Sequence, residues 1–233
     1  MIEFCMTLSF SLVLCAAAVP VLAQSASEPT SRTARASSDR DQVVWAASSA
    51  LAAASFVFDE QLRSIALANR SRELDRIAVA ADILGTAGHI VPALVGTYVG
   101  SRLLGRRAFA AATLRVGLSY AAADALESVL KPVVGEARPF AGHDPLTFRP
   151  FSMNGTYQSF PSAHVVHISS LATAVALEAN RPWVTALAGT AITYVGAQRV
   201  YRDQHWSSDV VVSAMMGVEV ARATMTFLHD RGF

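Results

Sequence analysis

The sequence predicts an all-α protein, a helical bundle of about six core helices, and three observations predict it. Its apolar segments run well past the usual strand length of about five or six residues. They are rich in alanine, the strongest helix former. Proline and glycine gather between Lys131 and Pro161 rather than at the regular intervals that hairpins need. Hydrophobic residues make up 52% of the chain, high for a soluble enzyme, and the formal net charge is only +1. No global field therefore draws nucleic acid, and none is expected as a partner.

In chain order, residues 1–23 read as a signal peptide: the apolar run Phe4–Leu22 closes on Val21-Leu22-Ala23, a small-residue cleavage pattern. Glu3 and the lack of Lys or Arg make its start atypical. Both cysteines, Cys5 and Cys15, fall inside it, so cleavage leaves no thiol for a disulfide, a nucleophile or a zinc site. Residues 24–42, polar and containing Pro29, are expected to be a flexible linker, and 43–233 a single helical domain. Within it the apolar segments are Val43–Phe58, Ile77–Leu104, Ala108–Leu130, Ala163–Ala179, Trp183–Ala197 and Val210–Leu228. A membrane span needs about 20 mostly apolar residues, and only the second clearly qualifies. It carries Asp82 and His89; the third carries Arg115 and Asp124, the sixth Glu219 and Arg222. Such charges suit a bundle interior or a wet face. Arg102, Arg106 and Arg107 in the loop after the second segment favour a cytoplasmic loop if the bundle is in a membrane. That points to an exported, membrane-associated or integral protein whose other helix ends face outward, to the periplasm or envelope.

Those other ends carry the chemistry. Lys131 and Arg138-Pro139 flank a turn at Gly135, and Pro132 predicts that the third helix stops at Lys131. In Pro161-Ser162-Ala163-His164, Ser162 is placed to cap the fourth helix, whose free first-turn amides suit an anion. His205 and Asp209 are four apart, so on one helix face the carboxylate can accept the imidazole Nδ1–H and leave Nε2 as a nucleophile. A break near Arg202-Asp203 would fold Arg199 back towards them, and Ser207 or Ser208 would cap the last helix. Three cations, two histidines and one carboxylate fit a phosphate-like oxyanion. A metal held by His164 and His167 lacks a carboxylate at matching helical spacing, so no metal is predicted. His143, Asp144, Phe140, Phe148 and Trp206 can line a pocket mouth, although packing is the commoner role for such residues; Asp59, Asp82 and His89 receive no role.

Together the three stretches resemble the signature of the type 2 phosphatidic acid phosphatase superfamily, which includes bacterial acid phosphatases and vanadium haloperoxidases. The match is Lys131…Arg138-Pro139, Pro161-Ser162-Ala163-His164 and Arg199…His205…Asp209, with the order and internal spacing kept. Ala163 stands where the signature has glycine, and Gln198 where it has serine. The resemblance implies that Lys131, Arg138, Arg199, Ser162 and the Ala163 N–H hold the phosphoryl group. It implies that His205 attacks phosphorus, that Asp209 orients it and that His164 protonates the leaving group. The expected activity is metal-independent hydrolysis of phosphate monoesters through a phosphohistidine. Lipid phosphates such as phosphatidate or isoprenyl diphosphates come first as substrates and soluble esters second. No cofactor is expected, and vanadate would act as an inhibitor in the phosphate site. The alternatives are a vanadate-dependent haloperoxidase and a non-catalytic phosphate-binding membrane bundle.

Overall fold

In the computed structural model, which describes residues 31–233 and side chains from Ala46 onward, the regular elements are helices. They are α1 (Ser31–Ala68), α2 (Arg72–Gly85), α3 (Ala87–Leu103), α4 (Arg107–Val134), α5 (Ala163–Ala179), α6 (Pro182–Tyr201) and α7 (Ser207–Asp230). Two 3₁₀ turns, Pro139–Ala141 and Gly155–Tyr157, lie in the α4–α5 connection. The expected signal peptide and residues 24–30 of the expected linker lie outside the described residues. Residues 31–42, also expected as linker, are helical as the first turns of α1. Their alanines and arginines are good helix formers, which outweighs the serines.

The second apolar segment is two helices rather than one. α2 and α3 meet at a bend of 52°. Thr86 there is extended, with φ −85° and ψ 122°, and its hydroxyl donates to the Asp82 carbonyl at 2.7 Å. Gly85 closes α2 hard against α5, since a Cβ at that position would lie 2.7 Å from the His164 Cβ. The bend is therefore a tertiary demand, made where one helix must pass another without a side chain between them.

α5 is the centre of the bundle and packs on α2, α4, α6 and α7. Val165 and Ile168 meet Ile192 and Val195 of α6 and Val210 and Val218 of α7 in one core. Val116, Ala174, Ala221 and Met225 form a second core cluster between α4, α5 and α7. Burying each valine or isoleucine contributes about 1.5–3 kcal/mol. Arg115 of α4 adds a two-pronged ion pair to Glu178 of α5, at 2.5 and 2.6 Å.

α4 runs through Pro132 to Val134 instead of stopping at Lys131. Proline's fixed φ is helical, so near a helix end its cost is small. Gly135 ends the helix in the left-handed region at φ 65°, its N–H bonded to the Lys131 carbonyl. A Cβ there would sit 1.9 Å from the Arg149 carbonyl oxygen, so only glycine fits. Beyond it, the Ala137 N–H bonds to the Thr147 carbonyl at 2.9 Å and the Arg149 N–H to the Gly135 carbonyl at 2.6 Å. An antiparallel bridge between Glu136 and Phe148 lies between these bonds. The long connection is thus stapled to the end of α4.

Among the described residues, α7 is long and apolar enough to cross a membrane, and α2 with α3 passes the same test as a bent pair. The sixth apolar segment, not counted among those that clearly qualify from the sequence, passes the test as part of α7. Val91, Val95 and Val99 make an exposed stripe at four-residue intervals on α3.

Candidate active site

The helix ends and turns bring the three signature stretches together. Lys131, in the last turn of α4, donates to the Pro161 carbonyl at 2.8 Å and lies 2.5 Å from Glu127 Oε1. The end of α4 is thereby tied to the residue before Ser162. Arg138 donates through Nε to the Gly155 carbonyl at 2.9 Å and through Nη1 to Gln204 Oε1 at 2.9 Å. This fixes it beside the turn that carries His205. Burial lowers the Arg138 pKa, while nearby Asp209 and Glu127 oppose that shift.

Ser162 occupies the cap position of α5 without capping it. Its N–H donates to Ser213 Oγ at 2.8 Å, and its hydroxyl is buried with no protein partner. A buried hydroxyl left this way is costly unless a ligand uses it. Ala163 is the first residue of α5, so its N–H is one of the first-turn amides that no helix carbonyl satisfies. His164 follows, with Nε2 at 3.2 Å from Thr86 Oγ1 and 3.3 Å from Asp82 Oδ1. Arg199, in the last turn of α6, donates to that same Asp82 Oδ1 at 2.8 Å, and its Nε is buried without a partner. Gln198, which replaces the signature's serine, accepts from Arg199 at 3.3 Å.

His205 is in the turn between α6 and α7, and Asp209 is the third residue of α7, so the pair does not share one helix face. Asp209 instead folds back over the helix start, accepting from the Trp206 N–H at 3.0 Å and the Ser159 hydroxyl at 2.6 Å. Its Oδ2 approaches His205 Nδ1 at 3.6 Å, which is long for a hydrogen bond. Burial lowers the His205 pKa to about 3; Asp209 opposes the shift and the charges of Arg138 and Arg199 add to it. The imidazole is therefore neutral at physiological pH and keeps a lone pair. Glu136, also buried, reaches Asp209; burial and that carboxylate hold its acid group protonated, with its pKa raised to about 11.

Asp59, given no role from the sequence, and Arg63 support this arrangement. Ser207 and Ser208 do not cap α7. Their hydroxyls donate to Asp59 of α1, both at 2.6 Å, and the Ser208 N–H joins them at 2.9 Å. Arg63, one turn along α1, pairs with Asp203 at 2.7 Å and lies 5.6 Å over the Trp206 ring. Asp59 and Arg63 thus grip the chain on both sides of His205. Their sequence signal is a pair of opposite charges four residues apart just past the apolar run Val43–Phe58.

The mouth is only partly as expected. Phe140 and Phe148 are half exposed, and His143 stacks on Tyr157 with centroids 5.7 Å apart. Trp206 is instead fully buried, its Nε1 donating to the Ala137 carbonyl at 2.9 Å. Asp144 and His89 are exposed. His164 and His167 turn to different partners. His167 meets Asp124 of α4 at 2.7 Å and the Gly85 carbonyl at 3.0 Å. Asp124, Glu127 and His167 do cluster, with ligand atoms within 4.8 Å of one another, but the Lys131 ammonium already pairs with Glu127.

A helical bundle that gathers cations and unpaired donors around a buried neutral imidazole defines a class of oxyanion-binding site suited to phosphoryl transfer. The chain belongs to the PAP2 superfamily, whose family model matches residues 112–233. The lipid A 1-phosphatase of Rhizobium etli is 34% identical over 94 residues, 40% of this chain and 40% of that protein. The lipid A 1-phosphatase of Rhizobium johnstonii is also 34% identical over 94 residues, 38% of its length. The match thus spans about 40% of the length of these curated relatives. Two solved structures share the fold. The transmembrane PAP2-type phosphatidylglycerolphosphate phosphatase of Bacillus subtilis superposes with a TM-score of 0.59 at 21% identity, covering 99% of this chain and 98% of that one. Aquifex aeolicus LpxE gives 0.58 at 17%, covering 72% and 95%.

Proposed function

We propose that this protein is a metal-independent phosphoric ester hydrolase acting on lipid phosphates. The observation that carries the proposal is His205, a buried neutral imidazole flanked by Arg138 and Arg199, with Asp209 behind it. Lys131, Arg138 and Arg199 hold the phosphoryl oxygens, and the Ser162 hydroxyl and the Ala163 N–H add donors. His205 Nε2 attacks phosphorus, the P–O bond to the leaving group breaks, and His164 passes its proton to the departing oxygen. Water, losing a proton to His164, then cleaves the P–N bond and releases phosphate. Charge spreads over the equatorial oxygens in each transfer, and fixed cations stabilise it without further reorganisation. A positioned acid contributes about 10²–10⁴-fold. These side chains supply charge, nucleophile and proton, so no cofactor is needed, and vanadate would bind in the phosphate's place.

A lipid substrate is supported by the relatives, named as phosphatases of lipid A, and by the α4–α5 connection. Leu146, Phe151 and Met153 are strongly exposed there, beside half-exposed Phe140 and Phe148. Such a patch beside a polar site suits an acyl or isoprenyl chain. Arg102, Arg106 and Arg107 sit at the opposite end of α4 from Lys131. At 1.5 Å per residue that helix is about 42 Å long, enough to separate a cytoplasmic loop from an outward site. This supports a membrane-associated protein of the cell envelope with its site facing the periplasm.

The test is phosphate release by purified protein in EDTA, from lipid A, phosphatidylglycerolphosphate and 4-nitrophenyl phosphate. The expected result is turnover of lipid esters that falls by at least about 10³-fold in His205→Ala. Full activity of His205→Ala would overturn the mechanism.

A further inference from the structure

We infer that Asp82 is a positioning residue for the proton donor His164, acting together with Thr86 at the α2–α3 bend. The inference rests on the phosphatase reading and adds a residue outside residues 112–233, the stretch matched by the family model.

The Thr86 hydroxyl spends its proton on the Asp82 carbonyl at 2.7 Å, so towards His164 its oxygen is an acceptor. The other group facing His164 Nε2 is a carboxylate oxygen, Asp82 Oδ1, at 3.3 Å. An imidazole nitrogen that faces two acceptors carries hydrogen. The ring edge is also pressed against α2, where a Cβ on Gly85 would lie 2.8 Å from His164 Cδ2. Contacts with Asp82, Gly85 and Thr86 therefore set the position of the ring.

Charge makes the same residue necessary. To protonate an alkoxide, His164 must pass through an imidazolium beside Lys131 and Arg199, both of which repel it. Asp82 is the anion that offsets them. Its side chain is 52% exposed, and its Oδ1 also accepts from Arg199 at 2.8 Å. One carboxylate oxygen thus links the acid to a phosphate-holding cation. The site then has two aspartate–histidine couples: Asp209 behind the nucleophile and Asp82 beside the acid. During the first transfer the proton leaves His164 for the alkoxide oxygen as the P–O bond breaks, and the ring returns to neutral against Asp82.

The discriminating experiment compares Asp82→Asn with wild type on two esters. An alkyl or lipid phosphate needs a proton to release its alkoxide; 4-nitrophenyl phosphate releases a stable phenolate without one. The expected result is a kcat loss of about 10- to 100-fold on the alkyl ester, at least tenfold larger than the loss on the aryl ester. Thr86→Val, which alters the same ring edge but leaves Arg199 alone, is expected to show a smaller loss with the same bias. It provides the reading if Asp82→Asn fails to fold. Equal losses on both esters, no loss on either, or a gain accompanied by tighter inhibition by inorganic phosphate would each overturn the role. The last would mark Asp82 as a stand-in for a substrate oxygen. A wild type inactive on both esters overturns the phosphatase reading and this inference with it, whereas an active wild type with an unbiased Asp82→Asn overturns this inference alone.

Discussion

The two parts of the chain contribute different things to one site. From α4 onward come the groups proposed to touch phosphate: Lys131, Arg138, Ser162, His164, Arg199 and His205. From α1 and α2 come groups that hold those in place: Asp59 and Arg63 around the His205 turn, Asp82 and Thr86 against His164. In the proposed reaction the signature part can vary little, because each of its groups must meet one phosphoryl oxygen or one proton. The supporting part needs only an acceptor or a cation at the right distance. A site can therefore keep its reacting residues in a recognisable pattern while its support is drawn from segments that carry no pattern.

That division can be broken at three further points. Asp59→Ala is expected to have the largest effect. It leaves the Ser207 and Ser208 hydroxyls buried beside an apolar group and removes three hydrogen bonds to a buried carboxylate. A loss of about 3 kcal/mol is expected, read as a lower thermal midpoint in mild detergent, with kcat falling alongside it. Unchanged kcat in the folded variant would reduce α1 to packing.

Glu136→Gln tests whether the signature part carries its own support. Folded Glu136 keeps its proton, whereas an unfolded glutamate loses it above about pH 4.5. The stability from this group is present in full below that pH and is lost as pH rises towards about 11. Glutamine keeps the neutral shape and does not titrate. Between pH 5 and 8 the wild type should thus lose stability relative to the variant by at most about 1.4 kcal/mol per pH unit. Parallel pH profiles in urea unfolding would mean that Glu136 is ionised in the fold.

Arg63→Ala should cost least, about 1 kcal/mol, because its ion pair and its contact with Trp206 are partly open to solvent. A larger fall in kcat than in stability would show that Arg63 steadies the His205 turn rather than the fold.

The helical class was legible because long alanine-rich apolar runs report local preference, and the proposed site residues were legible because each stretch is short and its spacing survives in the sequence. The support was not. Asp59 meets Ser207 across 148 residues, and Asp82 meets Arg199 across 117, distances over which spacing carries no information. The bend at Thr86 was hidden for the same reason, since its cause is His164 on another helix. Ser207 and Ser208 read as helix caps because serine favours that position, but a carboxylate from α1 claimed their hydroxyls first. His205 and Asp209 read as one helix face because a four-residue interval looks the same whether it lies within a helix or crosses its start.

The grip of α1 has a practical consequence for anyone trimming the protein. Asp59 and Arg63 lie one turn apart on α1, and between them they hold Asp203 before His205 and Ser207 and Ser208 after it. A fragment starting at residue 70 would retain every residue of the recognised pattern and would still lose both anchors of the turn that carries His205, the proposed nucleophile. The smallest fragment that keeps the His205 turn anchored is therefore set by α1, some seventy residues upstream of the first motif, and not by the limits of the motifs themselves.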